Sequence, residues 1–362
     1  MRSKSIFVER QKKLKEKLGQ WGVDCYLCDH PTDIFYLTGI QLSLGRLLIQ
    51  PRAIVLFVDS RYYEAAKKQA CCSVRKMGEK QLIEVLTSSN WKEIRSIGFD
   101  TSTSYVRVDK LKKLLQALRK KRRLTSPYRI KGLLRPIQKL RAIKDTSELL
   151  LIKKSAELLW KGFLHAKRQL KVGIEERQVA LEFEFYCRKH GAEELSFTPI
   201  IAFGPGSALP HYHTAKRRLK KGDIVLMDLG VRLNGYASDM TRTFFFGGDG
   251  TATLKKLHEF VSNAKKAALE ICHPGTSLAE LDEAARKVMR KARLEKHFLH
   301  SLGHGIGLDV HESPNFRTDD EVLKPGMVIT IEPGLYLPGK GGVRLEDMII
   351  ITKTGHQNLF KE

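Results

Sequence analysis

Two apolar segments joined by an Asn-Gly pair carry the main fold signal: residues 224–246 read IVLMDLGVRLNGYASDMTRTFFF. Asn234-Gly235 is typical of a two-residue hairpin turn. With this turn at the centre, Asp228 lies opposite Thr241, and Asp239 shares the same face diagonally. Two carboxylates on one half-buried face repel each other, and a cation between them relieves that repulsion. The hairpin therefore predicts either a cation site or two edge acids that face solvent.

Two further acids interrupt apolar segments nearer the C-terminus. Glu332 follows the apolar segment 328–331, and Glu346 lies inside a strand predicted over 343–351. Before them, His304 stands in the sequence LGHGIG, where glycines let the backbone bend and a ligand approach closely. A histidine flanked by glycines is, on its own, more typical of a loop than of a ligand. The two acids in apolar strands are what make a shared site the better interpretation.

Four carboxylates and one imidazole together form an oxygen-rich ligand set: Asp228, Asp239, His304, Glu332 and Glu346. Such a set suits two hard or borderline divalent ions, with Mn²⁺ favoured and Co²⁺ or Zn²⁺ as alternatives. Two ions about 3.5–4 Å apart polarise a carbonyl and lower the pKa of a shared water. The residues thus predict metal-assisted hydrolysis.

The length and composition of the chain fit a globular protein of two domains. It has 362 residues, of which 42% are hydrophobic and 29% charged, and this excludes collagen-like and wholly disordered proteins. No apolar stretch approaches the roughly 20 residues that span a bilayer, so we expect a cytoplasmic protein with no membrane partner. The six cysteines are expected to be free thiols. Cys25 and Cys28 lie in a predicted strand, where positions three apart face opposite sides, which disfavours a shared zinc or redox site.

Helical and strand patterns divide the chain in two. Over residues 1–130, short apolar strands alternate with amphipathic helices, which predicts a small α/β domain. Residues 131–144 are predicted to be a basic linker, because helical periodicity fails there and resumes after Asp145-Thr146-Ser147, a typical helix start. Residues 145–362 mix helices with carboxylate-bearing strands and form the second predicted domain.

Positive charge is concentrated in the first half of the chain. The sequence holds 64 basic and 40 acidic residues, and residues 1–150 contain 32 of the basic and 14 of the acidic ones. The segment 110–144 contains fourteen Lys or Arg and no acid. It can attract a polyanion, but no aromatic residue interleaves its densest part to stack on a base. We favour a solvated helix end and linker, with nucleic-acid binding at most weak and non-specific.

Five motifs carry a resemblance to a known family. In chain order they are Asp228-Leu229-Gly230, Ser238-Asp239-Met240-Thr241-Arg242-Thr243, Gly303-His304-Gly305-Ile306-Gly307, Glu332-Pro333-Gly334 and Arg344-Leu345-Glu346-Asp347. They resemble the pita-bread metallopeptidases, which include methionine aminopeptidase, aminopeptidase P and prolidase. The resemblance implies an α/β N-terminal domain followed by an α+β pita-bread (creatinase/aminopeptidase-like) catalytic domain. It also implies that the four acids and the histidine named above hold two metal ions.

The proline-handling branch of that family is the most similar. The N-terminal segments 34–39 and 58–62, and the segment 204–212 around His211, look like their counterparts in that branch. The resemblance implies an aminopeptidase that hydrolyses the N-terminal Xaa-Pro bond of proline-containing peptides. An Xaa-Pro dipeptidase (prolidase) is the alternative, for which Arg317 is a candidate clamp of the substrate carboxylate. The alternative of another class is a metal-free pita-bread module that binds nucleic acid or protein.

The same resemblance implies a set of catalytic residues: His211, His300, His311, Glu332 and Arg344. Glu332, which is also a metal ligand, acts as the proton shuttle. His211 and His311 orient the substrate and stabilise the oxyanion. A helix is expected to place His300 below His304, where it steadies a ligand, and the alternative for His300 is a histidine buried in the core. Arg344 is expected to hold a carboxylate ligand ionised. Relatives with this domain layout commonly pair, so we expect a homodimer.

Overall fold

The computed structural model describes residues 4–88, 94–122, 127–316 and 321–360. The chain separates into two compact units, Met1–Leu140 and Arg141–Glu362. The division lies inside the predicted linker 131–144, but that segment differs from a linker. Its first residues belong to strand Arg129–Leu133, and helix Pro136–Arg141 follows. The strand pairs with residues 96–100, a partner that local helical periodicity does not reveal.

The first unit is the expected α/β domain, a six-stranded sheet with helices between its strands. Its helices are α1 (Lys4–Trp21), α2 (Pro31–Thr38), α3 (Ser60–Gln69), α4 (Glu79–Thr87), α5 (Tyr105–Arg122) and α6 (Pro136–Arg141). Its strands are β1 (Cys25–Cys28), β2 (Gly45–Ile49), β3 (Ile54–Val58), β4 (Ser73–Lys76), β5 (Ser96–Asp100) and β6 (Arg129–Leu133). They lie in the order β4-β3-β2-β1-β5-β6.

Helix α5 shows how the basic segment fits this unit. Its apolar side chains Leu111, Leu115 and Leu118 recur at helical spacing and belong to the core that includes Leu27 and Phe57. The lysines between them are exposed. Residues 123–126 of the basic segment lie outside the described ranges. All six cysteines fall within those ranges and are free thiols, and burial raises the pKa of Cys25 and Cys28.

Among the described residues, the second unit contains four α-helices and the strands that carry or adjoin the predicted ligands. The helices are α7 (Thr146–Arg168), α8 (Glu176–Lys189), α9 (Ala252–Glu270) and α10 (Leu278–Lys291). The strands before α9 are β7 (Glu194–Leu195), β8 (Ile200–Phe203), β9 (Ile224–Leu229), β10 (Val231–Leu233), β11 (Tyr236–Ala237) and β12 (Met240–Phe245). Those after α10 are β13 (His304–Gly305), β14 (Glu312–Asn315), β15 (Val328–Ile331), β16 (Gly334–Leu337), β17 (Gly341–Arg344), β18 (Asp347–Ile351) and β19 (His356–Asn358).

The hairpin predicted from residues 224–246 is present with the predicted register. Strands β9 and β12 are antiparallel, and Thr241 lies opposite Asp228. Both turn residues have positive φ, 52° at Asn234 and 80° at Gly235, as the turn type requires. The prediction succeeds because one turn fixes the pairing of every residue on either side of it.

The strand predicted over 343–351 is interrupted, and this corrects the sequence interpretation. Residues up to Arg344 belong to β17, which pairs with β16, whereas β18 begins at Asp347 and pairs with β15 and β19. Between them, the backbone N–H of Glu346 donates to the carbonyl of Thr241 at 3.0 Å. Glu346 is thereby held against the hairpin, a long-range contact with no local sequence signature. In the described parts of the chain, no helix is both long and apolar enough to cross a lipid bilayer.

Candidate metal centre

The predicted ligands come together in the second unit. We call the four carboxylates Asp228, Asp239, Glu332 and Glu346 the acidic cluster. His304 Nε2 lies 3.6 Å from Asp239 Oδ2 and 3.5 Å from Glu332 Oε1. Asp239, His304 and Glu346 each present one ligand atom, and these three atoms lie within 4.8 Å of one another. Residues far apart in sequence thus converge on one small volume.

The surroundings of His304 fix which of its nitrogens faces the acids. Nδ1 lies 3.1 Å from the carbonyl oxygen of Gly305, so Nδ1–H donates and the lone pair of Nε2 points to the carboxylates. Its backbone N–H donates to Thr330 Oγ1 at 3.1 Å. A side chain at Gly303 would clash with the backbone of Thr330, which explains the glycine before this histidine.

Burial and mutual repulsion set the electrostatics of the acidic cluster. Burial first, and then the neighbouring carboxylates, raise the pKa of Asp239 and Glu332 well above the ordinary range. The same causes raise the pKa of Glu346 to about 8. Burial, together with His311, lowers the pKa of His304 to about 3, so its ring is neutral, the form that ligates metals.

Divalent cations fit this donor set. Asp228 Oδ1 and Asp239 Oδ1 are buried and have no hydrogen-bond partner among the described residues. Buried polar oxygens of this kind are costly unless a hydrogen bond or a cation satisfies them. Four carboxylates around one neutral imidazole match the ligand preference of Mn²⁺ and related ions. Bound cations would therefore satisfy the unpartnered oxygens and would also offset the mutual repulsion that raises the pKa values of these carboxylates.

Among the described residues, Arg344 is the one arginine whose guanidinium donates to a carboxylate oxygen of the acidic cluster. Its Nη2 donates to Asp228 Oδ2 at 2.6 Å, and its Nη1 donates to the hydroxyl of Tyr336 at 2.9 Å. That hydroxyl lies 2.9 Å from His300 Nε2. The Nδ1 of His300 lies 2.9 Å from the carbonyl of Ser301, and burial lowers the pKa of His300 to about 4. Neutral His300 therefore accepts from Tyr336, which in turn accepts from Arg344.

This chain of hydrogen bonds corrects the expectation for His300. The residue lies in an irregular segment between a short 3-10 helix, Glu295–His297, and β13, so no helix places it below His304. Its partner is Tyr336, which sequence reasoning missed. Tyr336 lies in β16, four positions after Glu332, and because its side chain is buried its hydroxyl needs a partner. That need was the available signal.

His311 and His211 occupy a second side of the centre. The rings of His311 and His304 meet edge to face with centroids 4.1 Å apart. Burial, together with the nearby His211, lowers the pKa of His311, although Asp228 opposes this. His211 is exposed, and the carbonyl of the preceding Pro210 accepts from Arg344 Nη1 at 3.4 Å. The predicted carboxylate clamp, Arg317, lies outside the described residues.

Two threonine hydroxyls orient the acids and were also missed. Thr241 Oγ1 donates to Glu346 Oε2 at 2.7 Å and accepts from Arg344 Nε at 3.1 Å. Thr330 Oγ1 lies 3.4 Å from Glu332 Oε1. Both threonines are fully buried, Thr241 in β12 and Thr330 in β15. A buried hydroxyl signals a polar partner, which here is a carboxylate of the acidic cluster.

Comparisons with known proteins agree with this geometry. Residues 151–353 match the model of metallopeptidase family M24, and residues 10–143 match the Creatinase/Prolidase N-terminal domain. A curated Xaa-Pro dipeptidase of Pyrococcus horikoshii is 36% identical over 358 residues, and the alignment covers 98% of each chain. The crystal structure of the prolidase from that organism superposes with a TM-score of 0.89 at 36% identity, again over 98% of each chain.

Aminopeptidases of the same fold are also similar. The X-Pro aminopeptidase from Thermotoga maritima has a TM-score of 0.84 at 29% identity, with 98% of each chain covered. These matches confirm the family resemblance and the fold class expected from the sequence. The chain belongs to metallopeptidase family M24, with a Creatinase/Prolidase N-terminal domain before the catalytic domain.

Proposed function

We propose that this metallopeptidase is an Xaa-Pro dipeptidase that acts with two divalent metal ions. The observation that carries the proposal is the acidic cluster, in which buried carboxylate oxygens of Asp228 and Asp239 lack hydrogen-bond partners among the described residues. The sequence alone put the aminopeptidase first. The relatives support the dipeptidase alternative better, because those from Pyrococcus horikoshii and Pyrococcus furiosus are both named Xaa-Pro dipeptidase.

The ions would be held by the ligand set that the sequence predicts: Asp228, Asp239, His304, Glu332 and Glu346. We favour Mn²⁺ because four of the five ligands are carboxylates, with Co²⁺ or Zn²⁺ as alternatives. When bound, the ions polarise the carbonyl of the scissile bond and lower the pKa of a water molecule. Arg344 Nη2 donates to Asp228 Oδ2 at 2.6 Å and so orients this carboxylate.

The remaining chemistry falls to side chains of this protein. Glu332, at the edge of the acidic cluster, takes the proton of the attacking water and passes it to the leaving proline nitrogen, which has no proton of its own. His311, neutral and beside His304, donates to the carbonyl oxygen as negative charge develops on it. His211 orients the substrate from the exposed side, while Tyr336 and His300 hold Arg344 in place.

A peptide-length series tests the proposed specificity. The purified protein is treated with EDTA, dialysed, reloaded with Mn²⁺ and assayed on Ala-Pro, Ala-Pro-Ala and Ala-Pro-Ala-Ala, with Ala-Ala as the control. A dipeptidase cleaves Ala-Pro at least about tenfold faster than the longer peptides, since a site built around a free carboxylate rejects substrates without one. Faster cleavage of the longer peptides assigns the protein as an aminopeptidase instead.

Metal analysis separates both enzymes from a binding module. A metal-free pita-bread module of the kind considered from the sequence should have lost ligands, whereas this chain retains all five predicted ligand residues, and one ligand atom from each of Asp239, His304 and Glu346 lies within 4.8 Å of the others. We expect about two equivalents of transition metal per chain.

We also propose a homodimer, in line with the family resemblance. Light scattering of an active preparation at the mass of a single 41.2 kDa chain would contradict the dimer.

A further inference from the structure

A second buried group of charges lies outside the metal ligands. Arg141 and Lys144, at the start of the catalytic unit, face Glu312 and Asp309. The side chains of Arg141, Lys144 and Glu312 are each only 1% exposed. Replacing buried ion pairs by apolar residues is often neutral or stabilising, so stability alone is a weak reason for such a group. The part of the molecule that these charges hold in place, the loop around His311, is more informative.

The two acids flank His311 on both sides. Arg141 Nη2 lies 2.7 Å from Asp309 Oδ2 and also donates to the Glu312 carboxylate. The other oxygen of Glu312 lies 3.0 Å from Lys144 Nζ. Glu312 Oε2 accepts from the backbone N–H of Asp309 at 3.2 Å, which closes the short loop around His311. One guanidinium and one ammonium therefore fix both ends of the loop.

The backbone of Lys144 is also held in place by hydrogen bonds. The backbone N–H of Lys144 donates to the carbonyl of Gly326 at 2.9 Å, and the N–H of Gly326 donates to Ile351 at 2.9 Å. A side chain at Gly307 would clash with Glu312, so the loop packs closely against its own carboxylate. The backbone on the other side is tied as well, because Ala237 donates to the carbonyl of Gly307 at 2.8 Å. The loop has little room to shift while these contacts last.

We propose that Arg141 and Lys144 are positioning residues that set the His311 ring against His304. They act through their ion pairs with Asp309 and Glu312, the residues on either side of His311. The proposal rests on the proposed role of His311 in Xaa-Pro cleavage. Loss of either cation frees one end of the loop, and a displacement of about 1 Å can reduce turnover about 100-fold.

A double-mutant cycle distinguishes positioning from general destabilisation. The variants are Arg141→Met, Lys144→Met, His311→Ala and each double variant with His311→Ala, all loaded with Mn²⁺ and assayed on Ala-Pro. In the protein that retains His311, we expect Arg141→Met to lower kcat by about 10- to 100-fold while two metal equivalents per chain are retained. In the His311→Ala background the same change should cost less than about threefold, because its effect passes through the missing ring.

The controls make each outcome decisive. Arg290→Met removes an arginine that contacts Glu283 and Glu295 on the surface, and its kcat should not change. If Arg141→Met does not fold, Arg141→Lys keeps the charge with a shorter reach and enters the same cycle. Equal losses of kcat in both backgrounds, or no loss in either, overturn the proposal. Failure of the unmutated, metal-loaded protein to cleave Ala-Pro overturns the proposed function instead, so the two failures are distinguishable.

Discussion

Glu346 and Asp347 are neighbours in sequence, yet their carboxylates lie in opposite electrostatic environments. Glu346 belongs to the acidic cluster, where burial and Asp228 raise its pKa to about 8. Asp347 is equally buried, and burial opposes its ionisation, but Arg242 and Lys265 lower its pKa. Its oxygens lie 2.7 Å from Arg242 Nη2 and 2.8 Å from Lys265 Nζ. The break between β17 and β18 directs the two side chains into these different surroundings.

The difference separates a carboxylate whose charge is already balanced from one whose charge is not. Asp347 has two cationic partners and the amide of Asn358 at 2.9 Å, so the protein itself supplies its counter-charge. The acidic cluster has four carboxylates and direct contact with one guanidinium among the described residues. A buried group of this kind is stable only when it is protonated or when it binds cations. Asp347 therefore needs no added cation, whereas the acidic cluster has carboxylates that added cations can balance.

Removing one acid of the cluster should have the largest effect. We expect Asp239→Ala to abolish cleavage of Ala-Pro and to lower the metal content, while the protein stays folded. Asp239 lies closest to His304 among the acids of the hairpin, and its loss leaves the remaining ligands unable to hold both ions. Metal content by mass spectrometry and turnover on Ala-Pro are the measurements.

The matched control for that change is Asp347→Ala. It should keep two metal equivalents per folded chain, because Asp347 contacts Arg242 and Lys265 instead of the metal centre. Normal turnover with two metal equivalents in Asp239→Ala would show that the acidic cluster is not the site.

His311 should matter for turnover but not for metal binding. We expect His311→Ala to lower kcat by about two to three orders of magnitude, the scale seen when one oxyanion donor is removed. Its ring lies beside His304 but is not among the residues whose ligand atoms converge. Metal content should therefore be unchanged. If the variant loses metal, His311 is a ligand and its assignment to the substrate side is mistaken.

Asparagine at two aspartate positions tests the comparison through stability. In the metal-free protein, Asp347→Asn should reduce the free energy of unfolding by about 3 kcal/mol, because it removes the carboxylate charge that both Arg242 and Lys265 contact. Asp239→Asn should instead raise the free energy of unfolding, because it relieves repulsion in the acidic cluster. Urea denaturation in EDTA measures both. Destabilisation of the same size by both changes would contradict the distinction between the balanced carboxylate of Asp347 and the unbalanced one of Asp239.

The stability of the metal-free protein should also depend on pH in a specific direction. The pKa of Glu346 rises from 4.5 to about 8 on folding, so its contribution to stability is full below 4.5 and is lost as the pH rises towards 8. His300 and His304 have lowered pKa values and contribute the opposite trend, but only below the ordinary histidine value of 6.5. Between pH 6.5 and about 8, the carboxylates therefore determine whether the free energy of unfolding rises or falls with pH.

Thermal melts in EDTA should therefore show a Tm that falls as the pH rises through this window. Each carboxyl that holds its proton only in the folded state contributes up to about 1.4 kcal/mol per pH unit. Glu346→Gln should flatten the slope. Saturating Mn²⁺ should reverse it, because ligands must lose their protons to bind metal. An unchanged slope in Glu346→Gln would place the titrating groups elsewhere.

The sequence predicts the parts of this centre that depend on local rules. The turn at Asn234-Gly235 determines the register that brings Asp228 opposite Thr241, and the motif around His304 contains the glycines that its close packing requires. A tyrosine in an apolar strand signals that its hydroxyl needs a partner, but the choice of His300 as the partner of Tyr336 and the strand break before Asp347 were not predictable. Each depends on contacts between segments that the sequence alone does not bring together.

Exposed charges should have the smallest effect, which extends the comparison from buried groups to solvated ones. Lys112, Lys113 and Lys120 lie on the exposed side of α5, where water and salt screen their charges, and Lys113 also contacts Asp109 at 2.8 Å. Charges separated by more than a Debye length of about 8 Å are screened at physiological salt. Replacing all three by Gln should leave kcat and KM for Ala-Pro within about twofold and the metal content unchanged. DNA retention, if measurable, should weaken steeply with salt, and its log-log slope should fall by about one for each lysine that neutralises a phosphate. A large fall in Ala-Pro cleavage with fold and metal intact would mean that the basic segment takes part in substrate binding, and that exposed charge here is not passive.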